Sequence, residues 1–154
     1  MPDLRRIVLE GDGLTRLSPL LEADRAQAVA DLLVDNCFRP AGRPAAPLAL
    51  RLSIQEGRLV FDIRDEEDQP LIAHALALGP FRDLIRDYQM LVESHIAAVT
   101  EGREARIQAI DMGRRGLHNE GAGLLRQRLA GKVELDFDTA RRLFTLVCVL
   151  RTRL

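Results

Sequence analysis

The chain has no tryptophan, one tyrosine and five phenylalanines among 154 residues, a poor stock for stacking on nucleobases. Lysine is almost absent too. Of 22 basic residues, 21 are arginine and only Lys132 is lysine, a bias that a GC-rich genome explains without invoking function. No sign of charge dominates: the formal net charge is −1, so no global field draws the chain to nucleic acid or an anionic membrane. The longest uncharged run, Gln69 to Phe81, is too short to cross a bilayer as a helix. No apolar stretch follows Met1-Pro2-Asp3-Leu4-Arg5-Arg6, so no secretory signal is read there. The two cysteines, Cys37 and Cys148, lie far apart in apolar surroundings, which reads as reduced thiols in a cytoplasmic protein.

Motifs for familiar chemistry are missing as well. Ser18, Ser53 and Ser94 are the only serines, and none sits in a Gly-x-Ser-x-Gly elbow. There is no P-loop and no Gly-x-Gly-x-x-Gly; Gly11-Asp12-Gly13 and Gly121-Ala122-Gly123 are too short to signal anything. His118-Asn119-Glu120 has the His-x-Glu spacing of zinc deaminases but lacks the Pro-Cys-x-x-Cys partner. No metal and no cofactor is expected.

What is present is the composition of a globular fold, with 47% hydrophobic and 29% charged residues. Residues 1–154 read as one domain. Residues 5–10 suggest a short strand, and Ser18-Pro19 a helix start, with Leu21, Ala28, Leu32 and Leu33 at helical spacing over about residues 19–36. Arg39 to Pro47, with three prolines and a glycine, reads as a loop. Leu48, Leu50, Leu52 and Ile54 then alternate with polar or small residues, as do Leu59, Phe61 and Ile63, and residues 71–78 supply a third strand. Phe81, Ile85, Tyr88, Val92, Ile96 and Val99 mark the clearest amphipathic helix, ended by Gly102. Residues 103–130 are helical again, but Gly113, Gly116, Gly121 and Gly123 predict a break near Gly116. After the extended Val133 to Phe137, Asp138 is expected to cap a last helix that is apolar nearly all round. The fold class is therefore α+β: an antiparallel sheet of three to four strands with helices packed on one face.

The stretch Ile110-Asp-Met-Gly-Arg-Arg-Gly-Leu-His-Asn-Glu-Gly-Ala-Gly-Leu-Leu, with Arg-Leu-Ala-Gly-Lys-Val-Glu-Leu-Asp-Phe-Asp after it, resembles the bacterial uncharacterised protein family UPF0262. Leu59-Val60-Phe61-Asp62-Ile63-Arg64 and the order of elements resemble it too. The resemblance implies a cytoplasmic bacterial protein and transfers no activity.

The densest polar group is Asp111, Arg114, Arg115, His118, Asn119 and Glu120. On an unbroken helix Asp111, Arg114, Arg115 and His118 share a face about 100° wide. Two guanidiniums beside an imidazole can grip a phosphate or carboxylate, with His118 as proton donor. The structural alternative is an Asp111–Arg115 ion pair. His95, on the apolar stripe, reads as a core residue and His74, on a strand, as a core or interface residue; Asp62 is a candidate orienting carboxylate for His74 if the hairpin register allows.

Two functions follow. One is a non-catalytic binding or regulatory module contacting a protein or a small anionic ligand. The other is a small enzyme acting on a phosphate- or carboxylate-bearing substrate at Arg114, Arg115 and His118. Residues 101–154 carry 11 basic against 7 acidic side chains, too slight an excess to argue for nucleic acid. Apolar positions exceed what a thin sheet and its helices can cover, so a homodimer is expected.

Overall fold

The structure, a computed structural model, describes residues 2–11 and 17–151. Asp12 and Gly13, the latter part of the first short glycine motif, lie outside the described residues. Strand β1 (Leu4–Glu10) leads to helix α1 (Pro19–Val34), and a short β2 (Phe38–Pro40) follows. The meander β3 (Leu48–Gln55), β4 (Arg58–Asp65) and β5 (Pro70–Ala77) comes next. A 3-10 turn at Gly79–Phe81 opens α2 (Arg82–Glu101); α3 (Glu104–Leu129), β6 (Val133–Leu135) and α4 (Phe137–Arg151) complete the chain. The class is α+β, as the residue pattern predicts.

The main sheet runs β1-β3-β4-β5. Its meander is antiparallel, with Leu52 opposite Phe61 and Leu50 opposite Ile63. The expectation of a wholly antiparallel sheet is corrected at one edge, where β1 pairs parallel to β3. The reason is connectivity: α1 crosses between the two strands, and a crossover returns the chain in the same direction. Asn36 ties the unit shut. Its side-chain amide donates to the carbonyls of Leu4 and Leu32 and its oxygen accepts from the Leu4 N–H, each at 2.8 Å.

Two further expectations are corrected. The expected loop holds over residues 41–47, but Arg39 and Pro40 belong to β2, which pairs antiparallel with β6 in a separate two-stranded ribbon; proline is admitted because the ribbon is all edge. And α3 runs unbroken through all four of its glycines. Gly121 lies against the Phe144 ring, where no Cβ would fit, so close packing offsets the loss of helix propensity.

The core runs from the inward face of the sheet through α1 and α4, which pack on it, to α2 and α3, which pack on each other and on α4. Helix α4 is buried on nearly every side, through Leu143, Phe144, Leu146, Val147, Cys148 and Val149. Its N-terminus is capped by the Asp136 carboxylate, which accepts from the Thr139 N–H at 2.9 Å, rather than by Asp138. The outer face of the sheet is held by charge. Asp68, on the β4–β5 turn, takes Arg6 at 3.0 Å, Arg51, and Arg64 at 3.6 Å. Arg51 also meets Glu10 at 3.2 Å.

Candidate functional site

Because α3 is continuous, the helical period decides which of the six singled-out residues meet. Asp111, Arg114 and His118, at steps of three and four, turn toward the helix layer. Arg115, Asn119 and Glu120 are exposed, so the six do not converge on one point.

The inward three join two residues that motif reading passes over, Asp24 on α1 and Tyr88 on α2. Arg114 Nη1 donates to Asp24 Oδ1 at 3.0 Å and Oδ2 at 3.1 Å. Its Nη2 donates to Asp111 Oδ1 at 3.1 Å, the partner that a structural reading assigned to Arg115. The Tyr88 hydroxyl donates to Asp24 Oδ2. One carboxylate thus links three helices.

His118 stands one turn further along α3, with its ring centroid 5.4 Å from that of Tyr88. It is buried, and its Nε2 meets no hydrogen-bond partner among the described residues. Burial, with the positive charges of Arg114 and then Arg141, lowers its pKa to about 4. Burial and the negative charge of Asp24 push the Tyr88 phenol well up. The same two causes raise the Cys148 thiol. At neutral pH the imidazole is uncharged, the phenol and thiol keep their protons, and one guanidinium faces two carboxylates. The imidazole, phenol and thiol do not change charge near neutrality.

The other candidates are separate. His74 lies opposite Phe61, and Asp62 is opposite Ala73 on the other sheet face, bonded to Arg64 at 3.0 and 3.1 Å. The carboxylate therefore does not orient that imidazole. Burial, and after it Lys132, lowers the His74 pKa. His95 is half-buried on α2. Cys148 is buried and Cys37 half-buried, and neither forms a disulfide. Among the described residues, no three His, Cys, Asp or Glu side chains gather to hold a metal, and no helix is long and apolar enough to cross a membrane.

The family model of UPF0262, described as an uncharacterised protein family, matches residues 1–153. The chain belongs to UPF0262. A UPF0262 protein of Granulibacter bethesdensis is 63% identical over 159 residues, covering 98% of this chain and 90% of its own. Another, from Acidiphilium cryptum, is 65% identical over 150 residues, covering 97% and 93%. A third, from Maricaulis maris, is 51% identical and covers 96% and 92%. No solved structure matches the chain. UPF0262 carries no assigned activity.

The signal that would have found Asp24 is present in the sequence. It falls three residues after Leu21 and four before Ala28, inside the buried stripe of α1. An acid in that position must have a partner or pay for its desolvation.

Proposed function

We propose that the protein is a non-catalytic binding module that works through protein contact, as a homodimer formed by the outer half of the α2–α3 hairpin. The observation that carries this reading is the fate of the apolar stripe on α2. Ile85, Tyr88 and Val92 on that stripe are buried, Val92 being 1% exposed. At the next two steps, Ile96 is 41% and Val99 54% exposed. The helical spacing that builds the core thus continues beyond the point where one chain covers it. On the neighbouring helix Met112 is 72% exposed. Apolar surface at helical spacing is the raw material of a helix–helix contact between molecules, and two-fold self-association is the commonest closed form.

The polar cluster supports the non-catalytic part. An uncharged buried imidazole, a protonated phenol and an ion-paired guanidinium make no acid–base pair at neutral pH. A small anion at the α3 cluster has less support, because Arg114 already faces two carboxylates and only Arg115 presents an exposed guanidinium.

Light scattering behind a sizing column tests the reading. The parent protein at micromolar concentration should show twice the chain mass of 17.2 kDa. The double variant Ile96→Glu, Val99→Glu should show the single-chain mass with unchanged circular dichroism. A parent at 17.2 kDa sinks the dimer; a variant that stays dimeric moves the interface elsewhere.

A further inference from the structure

A cleft far from the Asp24 cluster opens where the β2–β6 ribbon meets the end of α3. Its volume is about 590 Å³, within the roughly 300–1,000 Å³ range of small-ligand sites. Arg39, Gly42, Arg43, Arg126, Gly131 and Glu134 line it.

The ribbon presents charge by its pleat. Phe38 and Pro40 on β2 are buried, as are Val133 and Leu135 on β6, while Arg39 and Glu134 between them are exposed. These two stand opposite each other in register, yet they form no ion pair. The chain leaves each side of the cleft through a glycine at positive φ, +75° at Gly42 and +81° at Gly131, with open space where a side chain would stand. The backbone at the rim is thereby left bare to a ligand.

Two of the three guanidiniums are steadied by a backbone carbonyl, and all three keep N–H groups unspent. Arg126 Nε donates to the Leu135 carbonyl at 3.0 Å, leaving both Nη groups. Arg43 Nη2 donates to the Leu71 carbonyl at 2.7 Å. Arg39 Nε lies 3.6 Å from Asp3, long for a hydrogen bond. No other side chain among the described residues bonds to these three. Arg43 and Arg126, each held by a backbone carbonyl before a ligand arrives, lose little freedom on binding. Three planar cations outnumber the two carboxylates beside them, Glu134 in the cleft and Asp3 against Arg39, and a tetrahedral phosphate offers oxygens in three directions.

We propose that this cleft binds a small molecule bearing a phosphate or diphosphate group. Arg39, Arg43 and Arg126 take the phosphate oxygens, and Glu134 accepts a hydrogen bond from a hydroxyl or amine of the same molecule. The site is independent of the hairpin contact proposed above.

The test is titration of the whole protein with pyrophosphate at constant ionic strength, read by calorimetry and by the amide resonances of Gly42 and Gly131. Saturable binding that shifts those two amides is expected. Arg43→Gln with Arg126→Gln should weaken it about tenfold or more, while Arg115→Gln leaves it unchanged. Should the double variant fail to fold, the amide shifts of the parent protein decide. No saturable binding, shifts confined to another region, or a folded double variant that binds as the parent does would each overturn the proposal.

Discussion

Gly121 on α3 rests directly on the edge of the Phe144 ring of α4, so that a Cβ at Gly121 would overlap the ring's Cγ, Cδ2 and Cε2 atoms. The ring has little room to retreat: it is fully buried and its centroid lies 6.2 Å from that of Phe81. Gly116 and Gly123, on the same helix, have open space at the corresponding point. Gly121→Ala should therefore cost about 1–3 kcal/mol through overpacking. Gly116→Ala and Gly123→Ala should each stabilise by about 0.5–1 kcal/mol, the ordinary gain of alanine over glycine in a helix. Urea denaturation of the three variants checks this; equal responses would mean that Gly121 is not a packing site.

Truncating the partner tests the same contact from the other side. Phe144→Ala should cost about 3–5 kcal/mol, as expected for an aromatic ring removed from a close-packed core. In that background Gly121→Ala should lose most of its penalty, because the new methyl enters the vacated space. Additive losses in the double variant would show that the two residues act independently.

The Asp24–Arg114 pair should behave as a buried unit rather than a surface one. Its side chains are 14% and 17% exposed, which limits solvent screening. Asp24→Ala leaves the Tyr88 hydroxyl and one side of the guanidinium without a partner, and should cost about 3–5 kcal/mol. Tyr88→Phe removes only a donor, and Asp24 keeps Arg114, so the cost should be about 1 kcal/mol. Thermal melts that rank the two variants in the reverse order would assign the energetic centre to Tyr88.

The elements of this fold are legible where periodicity is strong. Leu48 to Ile63 alternate as a hairpin, Phe81 to Val99 repeat as a helix, and Gly102 ends that helix in the left-handed conformation at φ 69°. What sequence reading misses is what depends on contact. The parallel pairing of β1 with β3 is set by where α1 crosses, and no residue of Leu4–Glu10 records it. The glycines of α3 look like a break because the opposing Phe144 lies more than twenty residues away in the chain. At the candidate site, Asp111, Arg114 and His118 are visible as neighbours on one helix. Tyr88 reads as one more apolar position, since nothing local shows that its hydroxyl has a carboxylate to reach.

The depressed pKa of His118 makes stability depend on acid. Unfolded, the imidazole titrates near 6.5; folded, its pKa is lowered to about 4 by burial, then Arg114, then Arg141. Between those values the unfolded chain binds a proton that the folded chain refuses, so stability rises with pH across that window. The contribution is fully present above about pH 6.5 and is lost as pH falls toward 4. The loss should amount to about 3 kcal/mol over the window, at about 1.4 kcal/mol per pH unit. His118→Gln, which carries no titrating group, should flatten this slope while Arg115→Gln leaves it in place. The measurement is the urea midpoint of each variant from pH 4 to 7. A parent protein whose midpoint does not move between pH 4.5 and 6.5, or a His118→Gln variant with the parent's slope, would show that the imidazole is solvated and free to charge in the folded state.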